Sequence, residues 1–222
     1  MHIKELTIYS KELEKQVAFY TSTLQLNCIE QSETQASIQI GDSILTIVAR
    51  ENATPYHFAI NIPSNKEQEA LDWLKQRVEI LKDDDIEIHD FAFWNAKAMY
   101  FYDEDRNIVE FIARKNLNNP SDHPFDASQL LNISEIGLPT LNIEAKYQQL
   151  NALSSITRFS GDFDRFLAMG DDHGLFICVN KNIKDWFPTG DTAHSSGFEL
   201  RFTNEQKDHH IRFEKDEIIH LG

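Results

Sequence analysis

The chain has 222 residues, with 21 Lys+Arg against 36 Asp+Glu and a formal net charge of −15. An acidic excess of this size repels polyanions and argues against nucleic acid as a partner. Hydrophobic residues reach 41%, enough at this length for a substantial core, yet no apolar run approaches the roughly 18 residues of a membrane span.

The opening residues MHIKELTIYSKELEK carry scattered charges and no apolar centre, so they are not expected to act as a signal peptide. Residues 3–9 (IKELTIY) alternate apolar and polar, which predicts a strand. Residues 12–26 then change to helical spacing, with Leu13, Val17, Tyr20 and Leu24 on one face. Strands are expected at 27–31, 35–40 and 44–49, the last two joined by a Gly41-Asp42 turn. The order then repeats. A strand at 56–62 precedes a helix at 66–77, and strands follow near 86–89, 97–102 and 108–113. Residues 115–131 hold two prolines and many small polar residues and read as a surface linker. A third round gives a strand at 133–139, a helix at 142–153 capped by Asn142, and strands at 165–170 and 175–179. Residues 197–203 and 209–221 read as a strand and a further strand or hairpin, with no fourth helix. Cys28 and Cys178 sit among aliphatic residues and read as reduced core thiols of a cytoplasmic protein.

The segment KELTIYSKELEKQVAFYTSTLQL resembles the first module of glyoxalase, bleomycin-resistance and extradiol-dioxygenase proteins, the vicinal oxygen chelate superfamily. AMYFYDEDRNIVEFIAR resembles their closing hairpin, whose usual turn reads DPDGN. Glu104 and Arg106 stand here where that turn has proline and glycine, so the turn must close differently. The second half is similar to the extended C-terminal half of proteins named as ring-cleavage extradiol dioxygenases. The resemblance implies an α+β fold of repeated βαβββ modules forming an open, barrel-like half-pipe. It also implies a divalent metal on the floor of that half-pipe, held by the first and last strands of the modules. On this reading residues 1–114 are two paired modules sharing one metal site, and 115–131 are a linker. Residues 132–222 are then a third module with a truncated remnant of a fourth. This second half would cover the opening or form a homodimer contact.

Aligning the modules sets Glu5 opposite His57 and Thr46 opposite Glu110. Three of these four positions can ligate, so the expected metal set is His57, Glu110 and Glu5, with Thr46 leaving a position open to substrate. One histidine with two carboxylates favours Fe²⁺ or Mn²⁺, with Zn²⁺ or Ni²⁺ as alternatives. In the third module Glu135 aligns with Glu5 and His57, and Ile177 with Thr46 and Glu110, while Gly197 is taken as the matching position of the remnant. One carboxylate does not make a site, so no metal is expected there. Asn61, Trp94, Asn95, Tyr100 and Tyr102 are candidate pocket residues, and His89 is a candidate acid or base.

The activity implied is metal-dependent chemistry on a small substrate that chelates through two oxygens, above all extradiol ring cleavage of a catechol. A glyoxalase-type isomerisation or thiol transfer, or non-catalytic binding of the bleomycin-resistance kind, are the alternatives.

Overall fold

A computed structural model describes residues 1–222. The first βαβββ unit runs β1 (His2–Ser10), α1 (Leu13–Ala18), β2 (Asn27–Gln31), β3 (Gln35–Ile40) and β4 (Ser43–Ala49). The second comprises β5 (His57–Ile62), α2 (Glu67–Lys75), β6 (Ile80–Leu81), β7 (His89–Phe91), β8 (Ala96–Tyr102) and β9 (Ile108–Arg114). The third has β10 (Asn132–Thr140), α3 (Ile143–Ser154), β11 (Arg158–Gly161), β12 (Phe166–Asp171) and β13 (Gly174–Asn180). A remnant, β14 (Phe198–Asn204), β15 (Lys207–Glu214) and β16 (Glu217–His220), completes the chain. No helix is long and apolar enough to cross a membrane.

Two local departures from the sequence reading have simple causes. The first helix is α-helical only to Ala18 and continues as a π turn, Phe19–Thr23, where the Thr21 hydroxyl donates back to the Val17 carbonyl at 2.8 Å. Of the strand expected at 86–89 only His89 is extended, as the first residue of β7, because Ile86 instead bridges back to Asp83 around a turn with Asp84 at φ 52°; β6 lies before that turn.

The strands form two open mixed sheets. One has the order β16-β15-β14-β1-β4-β3-β2; the other runs β11-β12-β13-β10-β5-β9-β8-β6, with β7 also paired to β8. The first unit therefore pairs with the remnant through β1 and β14, and the second pairs with the third through β5 and β10. This corrects the expected pairing of units one and two. Residues 50–56 carry the chain from one sheet into the other, so β1 and β5 never become neighbours.

One face of each sheet turns to a common core of 46 buried residues, which includes Leu6, Ile8, Leu45 and Phe202 of the first sheet and Phe58, Ile60, Phe111 and Phe176 of the second. The linker contributes to it: Phe125 lies edge-on to Trp73, with ring centres 5.8 Å apart. Alongside larger side chains such as Tyr100, Ile112 and Ile177, the opposite face of the second sheet carries the small residues Ala59, Ala96, Ala98 and Ala168. Their short side chains leave the half-pipe hollow. Gly41 sits at φ +53° in the β3–β4 turn, where a Cβ would lie 1.9 Å from the Leu131 carbonyl oxygen. Only glycine allows this turn to meet the linker.

Candidate metal centre

Strand alternation decides what faces the hollow. On β5, Phe58, Ile60 and Ile62 enter the common core, which sends His57, Ala59 and Asn61 to the half-pipe floor. Parallel pairing sets Ala59 beside Glu110 of β9, and antiparallel pairing sets it beside Glu135 of β10. Two carboxylates thus flank one methyl group, with His57 two residues away on the same face. Ligand atoms of His57, Glu110 and Glu135 all lie within 4.8 Å of one another, and all three residues are buried. Donors about 2.1 Å from a shared ion sit roughly 3–4 Å apart. Small side-chain rotations would therefore close this set on a divalent cation.

The charges support that fit. The fully buried Arg114 guanidinium donates through Nη2 to Glu135 and through Nε to Asn61 Oδ1 at 3.3 Å; its Nη1 lies 3.6 Å from Asp172 Oδ1. Glu110 receives no guanidinium of its own. It shares the cavity floor with Tyr100, whose hydroxyl favours its ionised form, and has His57 Nε2 3.5 Å away. Burial, then the neighbouring Glu135 charge, pushes the Glu110 carboxyl well above the usual range. Burial likewise raises Glu135 to about 6, against the pull of Arg114. Burial holds His57 neutral, its pKa lowered to about 4. Its Nδ1 is 3.1 Å from the Ile108 carbonyl. With Nδ1 donating there, the Nε2 lone pair points at the carboxylates, the tautomer a metal ligand needs. Once both are ionised, two buried carboxylates sharing one guanidinium lack a positive charge, which a divalent ion would supply in place of a proton.

The register bears out the alignment of positions and corrects the ligand set. Thr7 pairs with Thr46 across β1–β4, Ala59 with Glu110 across β5–β9, and Gly137 with Ile177 across β10–β13. Thr46, Glu110 and Ile177 are thus equivalent, and Glu5, His57 and Glu135 are equivalent one step earlier on the first strands. The bulges agree: pairing slips between Ile3 and Glu5 and again between Ile133 and Glu135. Glu5 lies in the other sheet, where Thr46 donates to it at 2.9 Å and Arg201 stands 3.5 Å away. In that sheet the β10-like position belongs to Glu199, which pairs with Thr7, and not to Gly197. Glu199 is held by Arg212 at 2.8 Å and His210 at 3.2 Å. Arginines there neutralise the carboxylates that the second half-pipe leaves short of a cation. Glu135, set aside in the sequence reading, is the third member of the cluster.

A cavity of about 560 Å³ opens above the cluster. Trp94 and Tyr100 line it as expected, together with Phe91, Phe166, Trp186 and Phe187. The other expected pocket residues lie elsewhere. Asn61 stands behind the cluster, accepting from Arg114 and donating to the Asp172 carbonyl. Asn95 sits at φ 48° in a turn and bonds Asn116, and Tyr102 donates to Asp191 at 2.6 Å beneath the Arg106 guanidinium. Arg106 itself adopts φ 63°, which is how the turn closes without glycine. His89 does not line the cavity; it is buried against Tyr100 and Phe187, which do, and has an unpartnered Nε2.

No family model and no curated relative matches this sequence. Solved structures do. A proposed dioxygenase from Bacillus subtilis superposes over 93% of this chain and 71% of its own, at 14% identity and a TM-score of 0.62. A glyoxalase I variant from Zea mays superposes over 83% of this chain and 69% of its own, at 12% identity and a TM-score of 0.57. The chain has the glyoxalase/dioxygenase-like fold, an α+β arrangement of repeated βαβββ modules in open sheets.

Proposed function

We propose that the chain is a metal-dependent enzyme of the vicinal oxygen chelate kind, with one site formed by His57, Glu110 and Glu135. The observation that carries this reading is the convergence of three buried donors, short of one positive charge, at the floor of an aromatic cavity. A divalent ion bound there would act as a Lewis acid toward a substrate chelating through two oxygens. The chain's own groups do the rest. Ile177 fills the fourth ligand position with an apolar side chain, which leaves coordination positions for substrate. Tyr100 and Arg114 orient the two carboxylates, and Trp186 and Phe187 keep the floor dry.

The aromatic wall suits a planar substrate, and extradiol cleavage of a catechol is the reaction we place first. Purified protein with Fe²⁺ or Mn²⁺ should convert a catechol to a ring-opened product only under air. Absence of product across several catechols would remove this reaction. A second reading, proton-transfer isomerisation of the glyoxalase type, draws on the Glu110 carboxyl, whose raised pKa suits a proton carrier. Turnover without oxygen would select it.

A further inference from the structure

The cavity wall contains an unpaired cation. Lys184 lies on the turn that follows β13, half-buried, with its ammonium 5.8 Å from the centre of the Phe166 ring. No carboxylate stands within ion-pair distance of it. Burial, followed by the Arg165 guanidinium, lowers its pKa, and Asp185 offsets only the smaller part. Asp90, the other free charge of the wall, is exposed and also borders a separate depression beside Lys97. A half-buried ammonium among aromatic rings, in a chain of net charge −15, is costly to leave without a counter-ion.

We propose that Lys184 is the specificity determinant of the cavity and reads a carboxylate on an aromatic substrate. The substrate class is then an aromatic acid, such as a catechol carrying a carboxylate arm. Its ring lies against the cavity rings, its two oxygens face the His57–Glu110–Glu135 floor, and its carboxylate meets the Lys184 ammonium. The inference deepens the functional reading above and rests on it for the orientation of the ring; the charge preference itself does not need a metal.

The test compares benzoate, phenylacetate and 3-phenylpropanoate with their amides, read by the fluorescence of Trp94 and Trp186, which line the cavity. The titrations are run on the metal-free chain and again with Mn²⁺. At least one acid should bind about tenfold more tightly than its amide. That preference should fall to within about twofold in Lys184→Met and persist in Lys184→Arg, since loss of the charge should remove roughly that factor. Acids and amides binding equally in both conditions would overturn the proposal, as would a preference unchanged in Lys184→Met. A Lys184-dependent preference in a chain that binds no metal would leave this inference standing and remove the metal reading.

Discussion

Glu110 and Glu135 stand on either side of Ala59, yet only Glu135 has a guanidinium of its own. Removing Arg114 would leave Glu135 buried without a cation. Arg114→Met should therefore cost about 3–5 kcal/mol of stability, measured by urea unfolding; a loss below about 1 kcal/mol would mean that Glu135 is solvated. Metal uptake should also displace protons, because the ligating form of each carboxylate is the ionised one. Burial holds Glu110 and Glu135 toward the protonated form in the metal-free chain. Affinity should fall as pH is lowered from 7 toward 5. Calorimetry at pH 6.5 in buffers of different ionisation enthalpy should show net proton release. His57, already neutral in this range, adds nothing to it. Gly137 supports the cavity from below: a Cβ there would stand 2.8 Å from Trp186 Cζ2. Gly137→Ala should displace Trp186 at a cost of about 1–3 kcal/mol.

At the scale of elements, Asp103 couples the first unit to the second. Its carboxylate accepts from Gln16 Nε2 and Tyr20 OH of the first helix, both at 2.7 Å, and from Asn107 Nδ2 at 2.8 Å within its own turn. Asp103→Ala leaves these buried donors unpaired. A loss of about 3 kcal/mol is expected, roughly 6–12 °C in Tm for a chain of this length. The elements themselves were legible because the strands alternate and the helices keep their period: β2, β3, β8 and β12–β13 fall within a residue or so of expectation. β11 was not, since RFSG is four residues long and carries no alternation to read. The site was half legible. The repeat alignment put Glu5, His57 and Glu135 at one position, and the register confirms it. Which two of the three units face each other depends on strand edges meeting in space, and no local pattern encodes that. Arg114, Lys184 and Trp186 were missed for the same reason: each reaches the cavity through tertiary placement.

At the scale of the whole molecule, one core draws on both sheets, so the chain should unfold as one cooperative unit. All three tryptophans belong to the second sheet and its attached segments. Fluorescence should therefore follow the unfolding of that half while circular dichroism follows both. Coincident transitions are expected, and separated midpoints would mean that the half-pipes are independent. The half-pipes differ in their charge balance. One buries His57, Glu110 and Glu135 around one guanidinium; the other matches Glu5 and Glu199 with Arg201 and Arg212. The most direct test of this account is the metal content of the chain reconstituted with Mn²⁺ or Fe²⁺, beside His57→Ala, Glu110→Ala, Glu135→Ala and Glu5→Ala. About one ion per chain is expected, lost in the first three variants and retained in Glu5→Ala. Retention in all four, or loss in Glu5→Ala alone, would contradict the assignment of the site.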